Sequence, residues 1–496
     1  MIEENMNIKQ FTIKYHVALI FTFLFTLLIY SSRLIFFSLS IDTEVLINSY
    51  HNQMRLWIGI GRFSLAFLKY IFSFIPYNYY LSVSLMLLSF SLALYYLYFI
   101  IYKYCNIKNS NIKIIIFSCI IISSPIIAEQ FYFTLQCAEI ALCFLIFDLA
   151  LYLFLKGLFN EKLKYILLST FFFAFCYGAY QSFIVLMISM LVFILLLDYK
   201  NDKKIKINVF LKFSFIYFLL SLSIYSLINN ITLMIFSIPR DTYIYDYILW
   251  GKLPISTNIK QISISLFQIF CFNNPYYQFG YIMLFIILFK DIIKNKNNLL
   301  NTVLDVLFAL SPFITVFLLA QAEPIRAQIA RPIVVALGIV LLLKKQSKLL
   351  IVMSILLIIS QSFVTMYFFY ESHQVYERDK KLATTIIDRI HNNPKNKKVV
   401  FIGQKKNLSH LISSEAIDSS FFEWDGASLM GINYRAIGFL KYLKYNVEYL
   451  EPYDYENAND LINIMGFDWN SNEIKIYENN DTIIIRLFDK IDSPFF

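Results

Sequence analysis

Long apolar runs recur along the first three quarters of the chain, and each approaches the ~20 residues a helix needs to cross a bilayer. This pattern constrains the fold more than any motif does. With 58% apolar residues and a mean hydropathy of +0.60, an ordinary soluble fold is excluded. The spans fall near 15–37, 78–102, 112–127, 136–156, 163–177, 179–198, 208–229, 276–293, 301–320, 332–344 and 349–370, or about eleven helices.

Lysine sets the expected orientation. Lys9 and Lys14 precede the first run, and alternate loops are then lysine-rich: Lys103/Lys108/Lys113, Lys156/Lys162/Lys164, Lys200/Lys203/Lys204/Lys206, Lys290/Lys294/Lys296 and Lys344/Lys345/Lys348. The positive-inside rule makes these loops cytoplasmic, so the net charge of +9 needs no nucleic acid to explain it. If the stretch 57–75 also crossed, every later lysine cluster would change sides, and its Arg62 and Lys69 oppose a span. It is expected instead as an amphipathic helix in the outer interface. The opposite face then carries Arg33, Arg55, Arg62, Arg240, Arg326 and Arg331, whereas the cytoplasmic loops hold no arginine. A guanidinium grips phosphate with two parallel hydrogen bonds and stays charged near lipid, so this asymmetry favours an anionic ligand outside over chance placement.

Polar chemistry first meets the bilayer edge in SIDTEVLINSYHNQMRLWIGIGR, Ser40 to Arg62. Charge held near hydrocarbon is a functional signal, although a solvated loop with a tryptophan anchor has the same composition. Further acids lie toward the same face. Glu129 follows Pro125 in SSPIIAEQFYF, Glu139 and Asp148 sit inside the next apolar run, Asp241 and Asp246 lie among tyrosines, and Glu323 falls in QAEPIRAQIARP. CYGAYQS, Cys176 to Ser182, reads equally as a helical hairpin tip or as part of a groove wall, with Gly178 allowing close backbone approach. The six cysteines lie in or beside apolar segments without metal-ligand spacing and read as small packing residues.

After Phe369 the chain is charged and cannot span. YERDKKLATTIIDRI has helical periodicity, KVVFIG reads as a buried strand, Ile432–Leu443 and Tyr455–Met465 read as helices, and EIKIYENNDTIIIRLF carries a hairpin signal. The expectation is a transmembrane domain over 1–370 and a small α/β domain over 371–496 on the outer face.

The ordered set of features resembles the glucosyltransferase II family, bacterial O-antigen-modifying enzymes among the C-type membrane glycosyltransferases. It comprises Asp42 in SIDTEVL, Trp57, Gly61 and Arg62 in W-x-x-x-G-R, Pro125 and Glu129, and Tyr180-Gln181. It continues through Arg326 and Arg331 to the post-membrane helix, KVVFIG and FEWDG. Family members often carry adjacent acids where Thr43 here separates Asp42 from Glu44, so Glu44 either assists or faces water. The resemblance implies an α-helical polytopic enzyme of the bacterial inner membrane with a cytoplasmic N-terminus and a periplasmic C-terminal domain. Its donor would be polyprenyl-phosphate-glucose and its acceptor a lipid-linked O-antigen or other surface polysaccharide. Asp42 is the candidate general base, with Glu129 and Glu44 as further acids. Arg62, Arg326 and Arg331 are candidates for the donor phosphate, and Trp57, Tyr180 and Gln181 for the substrate groove. No cofactor is firmly implied, and a divalent metal bridging acids and phosphate fits the chemistry without any spacing that demands one. The rival readings are a flippase for a lipid-linked sugar, which would place charges in midmembrane, and an oligosaccharide polymerase or ligase built on one large outer loop.

Overall fold

A computed structural model describes residues 6–72, 77–105, 110–201, 207–271, 274–294, 298–342, 348–390, 398–405, 411–426, 428–451, 453–455, 474–478 and 482–487. The chain forms two compact units: Met1–Leu34 with Met54–Met366, and Ile35–Gln53 with Tyr367–Phe496.

The first unit is helical and belongs to a membrane protein. Among the described residues six helices are long and apolar enough to cross: Tyr79–Tyr104, Cys137–Phe159, Phe183–Lys200, Ile207–Phe236, Leu299–Leu319 and Lys348–Arg389, the last continuing into the second unit. Two bent pairs raise the number to eight, Ile8–Lys14 with His16–Ile29 at 77° and Asn111–Ile122 with Pro125–Tyr132 at 55°. The expected spans at 163–177 and 332–344 appear as the shorter helices Leu163–Tyr177 and Ala330–Leu342. At 1.5 Å per residue neither covers a full hydrocarbon layer alone. Only 17% of the best apolar window in Ile207–Phe236 is buried, and Leu211, Phe215, Leu219, Leu227 and Met234 point outward, as a lipid-facing helix requires.

The second bend has a visible cause. Pro125 starts a new helix because it lacks the N–H that would continue the old one. The freed polar groups find partners: Ser123 donates to the Gln361 side chain at 3.0 Å, and Thr365 donates to the Ser123 carbonyl at 2.8 Å. The stretch 57–75 differs from the single interfacial helix expected of it. Helix Tyr50–Gly59 stops and Phe63–Ile71 begins after a turn at Gly61 and Arg62. Lys69 of the second piece pairs with Glu139 at 2.6 Å, which accounts for two of the charges found in apolar sequence.

In the second unit three strands form a mixed sheet: β1 (Lys398–Ile402), β2 (Lys475–Glu478) and β3 (Thr482–Arg486), in the order β1-β3-β2. β1 pairs parallel to β3 with Lys398 opposite Thr482, and β2 pairs antiparallel with Glu478 opposite Ile483. Helix Leu429–Tyr442 is stitched to β1 by Asn433, whose amide accepts from the Phe401 N–H at 2.6 Å and donates to its carbonyl at 2.8 Å. Phe421 stacks on Phe439 at 4.3 Å in the core. Leu39 and Ile41 are buried in that same core, which is the packing reason Ile35–Gln53 groups with this unit. The helix expected over 455–465 lies outside the described residues beyond Tyr455.

Candidate active site

In the membrane unit the W-x-x-x-G-R pattern is a helix stop. The Gly61 N–H donates to the Ile58 carbonyl at 3.0 Å and the Arg62 N–H to the Trp57 carbonyl at 2.7 Å, with Gly61 at φ +82°. This paired closure around a left-handed residue is the Schellman arrangement. A Cβ at position 61 would also sit 2.5 Å from the Tyr225 hydroxyl, so glycine is required twice over. The next helix begins at Phe63, and its first free N–H groups, on Ser64 and Leu65, are accepted by the Gly178 carbonyl at 2.8 and 3.3 Å. Those bonds bring the hairpin tip YGAYQS onto the stop.

Arg62 emerges from this junction. Its Nε donates to Gln181 Oε1 at 3.5 Å, its guanidinium lies 4.8 Å from the centre of the Tyr180 ring, and Gln181 Nε2 donates to the Ile60 carbonyl at 3.1 Å. Among the described residues no carboxylate pairs with half-buried Arg62. Trp57 and Tyr180 are almost wholly buried, so they back the arginine and do not line an open surface. Burial pushes the Tyr180 hydroxyl upward, opposed by the positive fields of Arg62 and Arg326.

Arg326 lies in a short turn that packs on helix Pro125–Tyr132, half-buried and 5.0 Å from the Phe133 ring. Glu129, in that helix, is buried and accepts from the Tyr276 hydroxyl at 2.6 Å. Arg331 is different. Only 1% exposed, it donates to the Tyr277 hydroxyl at 2.6 Å and to Glu323 at 3.3 Å, and its guanidinium lies over Phe313 at 4.5 Å. Burial raises the Glu323 carboxyl, and Arg331 holds it down.

In the second unit Asp42 and Glu44 meet Arg435 of helix Leu429–Tyr442. Arg435 Nη2 contacts Asp42 Oδ1 at 2.6 Å, Nη1 contacts Glu44 Oε1 at 2.8 Å, and Nε contacts Asp425 Oδ2 at 2.6 Å. Asp42 keeps 36% of its side chain exposed and adopts a left-handed backbone at φ 71°, and Asp425 does likewise at φ 60°. Glu44 does not face water: it is fully buried, and burial pushes its carboxyl up to about 7 against the pull of Arg435. Burial works to lower Arg435, but the three acids outweigh it and keep the guanidinium firmly charged. Among the described residues no group of His, Cys, Asp or Glu side chains is placed to hold a metal ion.

A family model described as glucosyl transferase GtrII matches residues 31–343, more than half of the chain. The chain belongs to the GtrII family. It is therefore a membrane glycosyltransferase. The matched region contains Asp42, Glu44, Trp57, Arg62, Glu129, Tyr180, Gln181, Arg326 and Arg331, and it ends well before Arg435. No curated protein and no solved structure matches the chain. The GtrII reading from sequence missed Arg435, Tyr276 and Tyr277, and it quoted Asp425 within FEWDG without giving it a role. The tyrosines stand in NNPYYQFGY, where a turn beside a span was a usable signal, but nothing near Arg435 marks it apart from other charged positions on a surface helix.

Proposed function

We propose that this enzyme moves glucose from polyprenyl phosphate to a hydroxyl of an O-antigen repeat unit or similar surface polysaccharide, at the outer face of the bacterial inner membrane. Arg62 is the observation that carries the reading. A half-buried guanidinium that, among the described residues, has an amide and an aromatic ring beside it and no carboxylate is an unbalanced charge, and a donor phosphate would balance it. Arg326 joins it on the phosphate. Arg331, already engaged by Glu323 and Tyr277, braces the turn that carries Arg326.

In the step itself the acceptor oxygen bonds to the sugar C1 as the bond from C1 to the phosphate oxygen breaks. The hydroxyl proton passes to the Asp42 carboxylate, and polyprenyl phosphate leaves with its new negative charge against Arg62 and Arg326. Glu129, oriented by Tyr276, positions the acceptor. The topology behind this reading has eleven crossings: the eight above and the helices Leu163–Tyr177, Gly280–Lys294 and Ala330–Leu342, whose short length local thinning of the bilayer accommodates. Eleven crossings put the second unit outside when the N-terminus is cytoplasmic.

The decisive experiment gives the purified protein polyprenyl-phosphate-glucose and lipid-linked O-antigen repeat units, with Asp42→Asn in parallel. Sugar transfer by the wild type that is lost in the variant supports reaction, donor and base together. Movement of the lipid across vesicles without sugar transfer would replace the enzyme reading with a flippase.

A further inference from the structure

Arginine offers five N–H donors in a rigid planar fork, so a guanidinium that meets three carboxylates on three sides fixes the direction of each. Arg435 does this with Asp42, Glu44 and Asp425 at 2.6, 2.8 and 2.6 Å, the lengths of strong charge-assisted bonds. Three acids on one cation leave the cluster short of positive charge. Glu44 is sealed from water and burial pushes its carboxyl up, whereas Asp42 and Asp425 are both partly open to solvent.

The backbone around Asp42 is built for the same end. An aspartate held at φ 71° is a costly conformation that persists where its surroundings over-determine it. Here those surroundings are visible. The Thr43 N–H donates to the Ser40 carbonyl at 3.1 Å, their two hydroxyls are 2.7 Å apart, and Asn48 donates to the Gly438 carbonyl at 2.8 Å, tying the segment to the helix that carries Arg435. Gly438 lets the two segments approach closely: a Cβ there would come 3.1 Å from the Glu44 side chain, tight enough that the side chain would have to shift. The helix thus approaches the acids closely enough for Arg435 to reach all three.

We infer that Arg435 is a positioning residue for the transfer reaction, aiming the Asp42 carboxylate so that its exposed edge receives the acceptor proton. This rests on the reading of Asp42 as the base. Arg435 lies outside the region that defines the family, and it works through Asp42 without touching the sugar. Among the described residues the other titratable groups facing the cluster are Tyr434, beside Arg435 on the same helix, and Tyr449, which follows that helix. Burial raises both phenols, so they stay neutral across the working pH range.

The test uses the full chain in nanodiscs, with polyprenyl-phosphate-glucose and lipid-linked O-antigen repeat units, and compares wild type, Asp42→Asn, Arg435→Ala, Arg435→Lys and Asp425→Asn. Arg435→Ala is expected to lower kcat by roughly tenfold to a hundredfold, the cost of one charge-assisted bond, with little change in KM for the donor. Its acid limb of kcat against pH should also move upward, because Asp42 then sits beside uncompensated acids. Arg435→Lys should recover part of both effects, since it restores charge but not the fork. Asp425→Asn keeps Arg435 in place and removes one competing acid, so the acid limb should move to lower pH even if Arg435→Ala does not fold. A folded Arg435→Ala with wild-type kcat and an unmoved profile, or an unmoved profile in Asp425→Asn, overturns the inference. Transfer that survives in Asp42→Asn fails the base reading itself, whereas loss in Asp42→Asn with a normal Arg435→Ala fails only the positioning role.

Discussion

Arg62 in the membrane unit and Arg435 in the second unit are the same side chain in opposite electrostatic settings. Arg62 has an amide oxygen and a ring for company, and Arg435 has three carboxylates. The first can offer positive charge to a visiting phosphate. The second has its charge fully engaged and serves instead to arrange acids. Arg331, engaged by Glu323 and Tyr277 through its two terminal nitrogens, belongs with Arg435 in this respect although it shares a unit with Arg62. Counting arginines on one face therefore identifies where anions could bind, but only the partners of each arginine say which one is available.

Four substitutions break or sharpen this contrast. Asp42→Asn should cut kcat by about 10²- to 10⁴-fold, the usual worth of a general base, with the protein still folded. Near-normal turnover would leave Arg435 arranging acids that do no chemistry. Arg331→Met should cost stability of about 3–5 kcal/mol by stranding buried Glu323, read as a lowered Tm in detergent. If Tm holds and donor affinity falls instead, Arg331 belongs with Arg62 after all. Arg62→Ala should raise the donor concentration for half-maximal rate roughly tenfold to a hundredfold and leave Tm nearly unchanged. Unaltered donor dependence would end its phosphate role.

The smallest effect is expected from Glu44→Gln, and it concerns pH. The Glu44 carboxyl stands near 7 in the folded protein against an ordinary value of 4.5. Its contribution to stability is therefore full below about 4.5 and is lost as pH rises through about 7, by up to about 1.4 kcal/mol per pH unit. The wild type should lose more Tm between pH 5 and pH 8 than Glu44→Gln does. Parallel losses would show that the buried carboxyl does not set the slope.

Much of the fold was legible because its causes are local. Apolar length fixes the long helices, Pro125 marks the bend, and KVVFI and TIIIR read as strands from their β-branched residues. W-x-x-x-G-R could be recognised as a pattern, but its meaning as a helix stop needed the backbone: only the φ of Gly61 and the Arg62-to-Trp57 hydrogen bond turn three letters into a device for placing a guanidinium. The meeting of Asp42, Glu44 and Asp425 at Arg435 was not legible. Glu44 and Arg435 are 391 residues apart, and no periodicity reports a contact over that distance. For the same reason sequence alone could not show that Leu39 and Ile41, after the first helix, complete a core made from the other end of the sequence.

That separation has a consequence for how the molecule comes into being. At ribosomal speeds of 5–20 residues per second, the 391 residues between Glu44 and Arg435 take on the order of 20–80 s to synthesise. Through that interval the Asp42 segment has no guanidinium to meet and no sheet to pack on, although the helices around Arg62 can already insert. The order of translation thus works as a timer: a nascent or truncated chain can occupy the membrane while its acid cluster is unassembled, and the arrangement around Asp42 closes only when the chain has been made to beyond Arg435.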